Sequence, residues 1–416
     1  MPPPTPHFAL LPVHDALPGL TRALREQQRA VLVAPPGAGK STVVPLVLLD
    51  EPWARGKRIL LLEPRRLAAR AVAERMARTL GERVGETVGY RMRLDTRIGP
   101  STRLEVITEG VLTRMLQEDP SLGDAAAILF DEFHERSLHA DLGLALALEA
   151  RSTIAPELRL LVMSATLDSD AVARLLDDAP VIRSEGRTWG VTLRYLGQGL
   201  PNLPDAQGRP LPLEGMASAV RRALEEADGD VLVFLPGAPE IHRLRRLLED
   251  SSLPHDVAVH VLHGELDAAL QQQALEAAPT GRRKVILSTN VAETSLTIEG
   301  VRVVVDSGLA RRSLFDPATG MSRLATVRIS RSSAQQRAGR AGRTAPGTAF
   351  RLWGEGAQET LPAQSPPEIL TADLAPLALE LAAWGARDVG QLRFIDAPPA
   401  APLAQARDLL RRLEAL

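Results

Sequence analysis

Residues 30–41 constrain this chain more than any other stretch. Ala30-Val31-Leu32-Val33-Ala34 is an apolar run of strand character, and it turns at once into Pro35-Pro36-Gly37-Ala38-Gly39-Lys40-Ser41, with a helical run opening at Ser41-Thr42. A strand, a glycine-rich turn and a helix in that order can aim backbone N–H groups at an anion seated on the helix start. Ala34–Ser41 matches a phosphate-binding loop at every position but the first, where Ala34 replaces glycine. Lys40 is the residue expected to neutralise the β- and γ-phosphates, and Ser41 the one expected to ligate Mg²⁺. An ordinary Gly-rich turn is the competing account, and the flanking strand and helix argue against it. Composition adds one point: lysine occurs only at Lys40, Lys57 and Lys284, and nearly all positive charge is arginine. A chain that has almost abandoned lysine and keeps one here needs an ammonium there.

Further apolar strand candidates are Ile59–Leu62, Leu104–Ile107, Ala127–Phe130 and Leu160–Met163, separated by helical stretches such as Leu67–Leu80 and Val111–Gln117. Strands alternating with helices predict parallel βαβ units with ligand sites at the strands' carboxyl ends. The pattern restarts after residue 182, with strands expected at Val231–Leu235, His260–His263, Lys284–Ser288 and Arg302–Val305. Gly197–Pro212, between the halves, reads as a loop. From Thr371 onward the pattern is helical, interrupted at Pro398–Pro402, with little core of its own. The expected domains are 1–181, 182–355 and 356–416, and 416 residues admit that many.

Composition excludes several classes. With no cysteine, neither a disulfide framework nor a thiolate metal site is available. No stretch approaches 18 uninterrupted apolar residues, and the Pro-rich start lacks a signal-peptide core, so a cytoplasmic protein is expected. A net charge of −2 excludes a globally basic nucleic-acid coat. Any nucleic-acid contact must come from a local groove.

Three more segments carry chemistry. Asp131-Glu132-Phe133-His134 follows the apolar strand Ala127–Phe130. Beside a phosphate loop, a carboxylate at that strand end suits a metal anchor at Asp131, and Glu132 suits a base for the attacking water. A solvated acidic turn would be the better account if the loop were absent. Ser164-Ala165-Thr166 ends the next strand, where small hydroxyls can pass a hydrogen bond from the nucleotide site or simply cap a helix. Gln335–Arg343 spaces Arg337, Arg340 and Arg343 at i, i+3 and i+6, roughly one helical face. An arginine row needs anions opposite it, and a γ-phosphate would serve. A solvated basic helix is the alternative, but Gly339 and Gly342 would weaken it for no return.

These segments, in this order, resemble the superfamily 2 helicases, specifically the DEAH-box branch, and within it the bacterial HrpB type. Leu62–Arg70 is similar to motif Ia of that branch, Thr108-Glu109-Gly110 to Ib, Val233–Gly237 to IV and Leu287–Val301 to V. The resemblance implies an α/β fold of two tandem RecA-like parallel-sheet domains followed by the start of a helical, winged-helix-like domain. It implies an ATP- and Mg²⁺-dependent motor on single-stranded nucleic acid, RNA favoured over DNA, moving 3′→5′. Pro36, Gly37, Ala38, Gly39, Lys40, Ser41 and Thr42 then hold nucleotide, with Arg75 and Glu299 near the base and ribose. Ser41 and Asp131 hold the metal. Glu132 activates the water, and His134, Ser164 and Thr166 link hydrolysis to movement. Gln336 positions the lytic water, Arg340 and Arg343 are arginine fingers, and Ser295 senses the γ-phosphate. Arg65, Arg66, Thr108, Thr289 and Asn290 grip the nucleic-acid backbone.

Departures from the branch pattern are Phe133 in place of alanine, Glu299 where many relatives have aspartate, and Leu275 where others stack phenylalanine on the base. Between Leu309 and Ile329, Asp316-Pro317 and Gly320 mark a hairpin turn that is either a strand-separating wedge or an inert surface feature. A nucleotide-dependent clamp without processive unwinding, or a DNA motor, would need every one of these motifs too.

Overall fold

The computed structural model describes residues 11–165, 169–186, 189–204, 211–251, 253–293 and 298–416. Two compact units divide the chain: Met1–Arg187, Phe315–Ser322 and Pro366–Leu416 form the first, Thr188–Leu314 and Arg323–Ser365 the second.

In the first unit, β1 (Arg29–Val33), β2 (Arg58–Glu63), β3 (Val88–Met92), β4 (Asp95–Arg97), β5 (Leu104–Thr108), β6 (Ala125–Phe130), β7 (Arg159–Ser164) and β8 (Val181–Arg183) build one sheet. The order is β4-β3-β5-β2-β6-β7-β1-β8, parallel except for the β3–β4 pair. A parallel sheet needs cover on both faces, and the strand residues sort accordingly. Val31, Leu60, Leu62, Phe130 and Val162 enter one apolar core. Leu32, Ile59, Leu61, Leu129 and Met163 enter the other.

The expected strands are all present, each within a residue or two of its predicted ends. Strands β3, β4 and β8 were not anticipated. β4 and β8 span only three residues each and leave too little alternation to read.

The helices around this sheet are α1 (Leu17–Glu26), α2 (Lys40–Leu48), α3 (Arg66–Leu80), α4 (Glu109–Glu118) and α5 (Leu138–Thr153). In α5, Ser137 caps the start by accepting the Ala140 N–H at 3.0 Å. Leu142, Gly143, Leu144, Ala145, Leu146, Ala147 and Leu148 are buried in succession, so this helix has no polar face. A helix apolar all round must be covered all round. The C-terminal residues supply part of that cover. Ile369, Leu374, Leu377, Leu381, Leu403 and Leu410 share a core with Leu142, Leu144 and Leu146. Each buried leucine contributes about 1.5–3 kcal/mol. Of residues 356–416, which the sequence set apart as a further helical domain, Pro366–Leu416 thus belong to the first unit and 356–365 to the second.

The second unit carries six parallel strands: β9 (Val191–Tyr195), β10 (Asp230–Phe234), β11 (Val257–Leu262), β12 (Arg283–Ser288), β13 (Val301–Asp306) and β16 (Gly347–Arg351). Their order is β11-β12-β10-β13-β16-β9. The anticipated hairpin is β14 (Leu309–Asp316) with β15 (Met321–Arg328). Its turn closes by a Gly320 N–H to Asp316 carbonyl bond of 2.8 Å, with Gly320 at φ 67°.

Candidate active site

Sheet order places the site. Reading across the carboxyl edge of the first unit, β5, β2, β6, β7 and β1 end at Thr108, Glu63, Phe130, Ser164 and Val33. Register pairs Glu63 with Thr108, Leu62 with Phe130, and Val33 with Ser164. Residues 22 to 131 positions apart in sequence are thereby brought to one rim.

At that rim the phosphate loop leaves β1. Gly37 and Gly39 take φ 82° and 99°, values that L side chains avoid. A Cβ on Gly39 would also stand 3.0 Å from Leu11 Cδ1 and 3.1 Å from Val43 Cγ2. The loop is pinned by the Ala34 N–H to Ser164 carbonyl bond and the Val13 N–H to Ala38 carbonyl bond, both 3.0 Å. Helix α2 begins at Lys40, whose buried ammonium donates to the Ala34 carbonyl at 3.0 Å. Lys40 therefore lies back over its own loop. In the second unit, buried Lys284 donates to the Ala274 carbonyl at 3.2 Å. Lysine is retained in this chain for carbonyl capping as well.

Asp131 follows β6 and donates its N–H to the Leu62 carbonyl at 3.0 Å. Its Oδ1 accepts the Glu132 N–H at 2.8 Å, while Oδ2 is buried with no partner among the described residues. Burial and then Glu132 raise the Asp131 pKa; Lys40 and the Ser41 hydroxyl pull it down. Beside it lies Glu63, fully buried, with neither carboxyl oxygen partnered among the described residues. Burial first, then Asp131 and Glu132, push its pKa well above the usual carboxylate range. The acidic rim thus sets Glu63, pushed well up by burial and its acidic neighbours, beside Asp131, whose opposing influences include Lys40 and Ser41. Glu132 stands at φ 48°, ψ 33°, a left-handed conformation. His134 Nδ1 accepts the Ala165 N–H at 3.4 Å and lies 3.5 Å from Glu132 Oε2. Its Nε2 is buried without a partner among the described residues. The Ser164 hydroxyl is likewise buried and unpartnered there.

In the second unit, Arg331–Gly339 is α-helical and Arg340–Gly342 is a 3₁₀ turn. The change of helix type breaks the single arginine face expected from spacing. Arg337 is fully buried: its Nε meets Glu293 Oε2 at 2.9 Å, its Nη1 meets Asp306 Oδ1 at 2.9 Å, and its guanidinium lies 4.8 Å from the Phe234 ring centre. Arg340 is also buried and donates from Nε to the Glu293 carbonyl at 2.9 Å. Gln336 is buried and Arg343 half-exposed. Ser295 and Thr166 lie outside the described residues.

A DEAD/DEAH box helicase model matches residues 18–175, and a helicase conserved C-terminal domain model matches residues 215–345. The chain belongs to the DEAD/DEAH box helicases. It is 49% identical over 411 residues to the ATP-dependent RNA helicase HrpB of Escherichia coli strain K12, an alignment covering 98% of this chain and 49% of that protein. A crystal structure of the E. coli DEAH/RHA helicase HrpB superposes with a TM-score of 0.89 at 49% identity, covering 98% of this chain and 51% of that one. One of the E. coli DExH-box NTPase HrpB gives 0.84 at 48%, covering 99% and 50%. The chain spans about half the length of the curated relatives it matches. Two parallel-sheet RecA-like units are the fold expected from sequence.

The remaining candidate residues of this DEAD/DEAH box chain fall at strand and helix ends. Arg65 precedes α3, and Arg66 opens it with an exposed side chain. Thr108 ends β5 beside Glu63 and precedes α4, its side chain making no cap bond. Thr289, after β12, accepts the Val291 N–H at 3.4 Å, and Asn290 is exposed. Arg75 is exposed on α3, and Glu299 is exposed in the turn before β13. Thr42 lies in the first turn of α2, half-buried, as is Pro36 ahead of it. No helix among the described residues is long and apolar enough to cross a membrane.

Sequence reasoning missed Glu63, Glu109, Glu293 and Asp306. Glu63 had the same signal as Asp131, a carboxylate directly after an apolar strand, and went unread. Glu109 accepts the Ser137 hydroxyl at 2.6 Å. Burial pushes its carboxyl up to about 8 against the pull of Ser137, with Glu135 and Glu368 adding to the rise and Arg65 opposing it. A carboxyl raised in the folded state contributes stability below its unfolded value of 4.5, and that contribution is lost as pH climbs toward about 8. Glu109→Gln keeps an acceptor for Ser137 and carries no charge. It is expected to leave the melting temperature unchanged near pH 4.5 and to raise it at pH 8. Screening at this partly exposed site reduces the gain to about 1–2 kcal/mol, or several degrees. Thermal melts of both proteins across that pH range measure it.

Proposed function

We propose that this chain hydrolyses ATP with Mg²⁺ and uses the cycle to move along single-stranded nucleic acid in the cytoplasm, preferring RNA. The observation that carries this reading is the convergence of Lys40, Ser41, Asp131 and Glu132 on the carboxyl edge of one sheet, after β1 and β6 with only β7 between them. The N–H groups around Gly37 and Gly39 cradle the phosphates at the start of α2, and Lys40 swings from the Ala34 carbonyl to meet their charge. The buried, unpartnered Oδ2 of Asp131 and the Ser41 hydroxyl fit Mg²⁺, as oxygen donors suit a hard cation. Held by Asp131 and Ser41, Mg²⁺ would supply positive charge to offset the negative charge of the nucleotide phosphates. Glu132 takes the proton of the attacking water, and His134 stands in the same neighbourhood. Gln336, Arg340 and Arg343 are proposed to meet the γ-phosphate, with Arg75 and Glu299 at the base and ribose. Arg65, Arg66, Thr108, Thr289 and Asn290 are proposed to hold backbone phosphates, which implies little sequence preference and strong salt dependence.

The test is ATP hydrolysis with single-stranded RNA or DNA at matched nucleotide concentration and salt. Stimulation by RNA well above that by DNA is expected. Equal stimulation removes RNA from the reading, and none removes the motor.

A further inference from the structure

The turn that joins Glu132 to α5 is held in a shape it would not take alone. Glu132 and Arg136 bracket it, both at φ 48°, in the region non-glycine residues avoid. Such backbone persists only where its surroundings over-determine it. Phe133 is buried edge-on against Phe130, ring centres 6.1 Å apart. Arg136 sets its fork on Asp141 at 3.0 Å for each bond and reaches Asp396 at 2.7 Å. The Arg136 carbonyl accepts the Glu368 N–H at 3.0 Å, and Glu368 Oε2 accepts the Leu138 N–H at 2.7 Å.

One more restraint differs in kind. Glu135 Oε2 meets Arg65 Nη2 at 3.0 Å, with side chains 19% and 23% exposed. This pair is open to solvent, whereas Asp141 beneath Arg136 is 2% exposed. Its partner also leads elsewhere. Arg65 precedes α3 next to exposed Arg66, and Thr108 stands at the end of β5, which pairs with β2. Under the function proposed above, these three residues hold nucleic-acid phosphates.

We propose that Glu135 is a positioning residue that couples nucleic-acid binding to Glu132. Without nucleic acid, the Glu135 carboxylate occupies the Arg65 guanidinium and holds the turn in its present shape. A backbone phosphate is an oxygen anion of the same kind and competes for the same fork. When it wins, Glu135 is released, and the turn that begins at Glu132 loses the restraint that ties it to this edge. Glu132 then relaxes toward the geometry that activates water, so RNA occupancy raises turnover. The inference rests on the proposed role of Arg65.

Glu135→Gln and Arg65→Gln, made in this chain, separate the possibilities. Binding of a labelled oligouridylate is measured by anisotropy without nucleotide, and ATP hydrolysis is measured with and without RNA. A partly exposed pair shifts such equilibria by about two- to tenfold. Glu135→Gln is expected to bind RNA tighter by that factor and to raise RNA-free turnover, shrinking stimulation by RNA. Arg65→Gln breaks the same pair, so it also raises RNA-free turnover, yet it binds RNA more weakly. The proposal is overturned by Glu135→Gln with unchanged or weaker RNA affinity, or by the two variants moving RNA-free turnover in opposite directions. A lowered melting temperature together with lowered turnover at saturating RNA reveals general loosening and overturns it as well. A parent chain that binds no RNA sinks the reading of function itself; one that binds RNA while Glu135→Gln behaves identically sinks this proposal alone.

Discussion

Glu132→Gln is expected to lower ATP turnover by about two to four orders of magnitude, the usual worth of a positioned general base. Nucleotide affinity should stay within a few-fold of the parent, because Lys40, Ser41 and Asp131 are untouched. Glutamine has nearly the size of glutamate and removes only the basicity. The Glu132 N–H to Asp131 Oδ1 bond is a backbone bond and survives the change. Phe133 packing and the Arg136 clamp keep the turn in place. Steady-state hydrolysis with saturating single-stranded RNA, paired with fluorescent nucleotide binding, reads both quantities. Hydrolysis at the parental rate would remove Glu132 from the chemistry and leave the acidic turn a structural feature.

The second large effect concerns stability. Arg337→Met is expected to destabilise the second unit by about 3–5 kcal/mol, the cost of stranding one member of a buried ion pair. The group stranded is Asp306, 2% exposed, whose pKa burial raises even with Arg337 opposing it. Glu293 loses its Arg337 bond in the same step, and with it goes the framework that seats Arg340 Nε on the Glu293 carbonyl. Methionine replaces the aliphatic stem but not the guanidinium, so a small cavity adds to the electrostatic loss. Adding Asp306→Asn should recover part of the stability by removing the stranded charge. Denaturant titration of parent, single and double variants measures this. A single variant with the parental midpoint would show that the buried network is dispensable.

Much of the site was legible because its residues are neighbours in the chain. The phosphate loop is contiguous from Ala34 to Ser41, and its glycines are demanded by local backbone angles. Asp131 and Glu132 were legible from an apolar strand ending in acid. The same rule would have found Glu63 had it been applied to β2. The arginine row was read correctly as spacing and incorrectly as a face. Arg337 lies within the α-helix and meets Glu293 and Asp306 in the core, a burial that the spacing of three arginines does not announce.

The sequence alone determined the two parallel-sheet units and where their main strands lie along the chain, because apolar runs and glycine turns act over a few residues. It also determined the phosphate loop and the acid pair that faces it. Tertiary structure alone decided that the Glu63 carboxyl is pushed well above the usual range, since that depends on burying it beside Asp131 from another strand. It alone decided that Glu293 and Asp306 share Arg337. It also decided that residues 366–416 complete the core over α5 and reach the catalytic turn through Glu368, 230 residues from Leu138. Side chains that meet only when distant segments close leave no period, spacing or punctuation in the chain to be read beforehand.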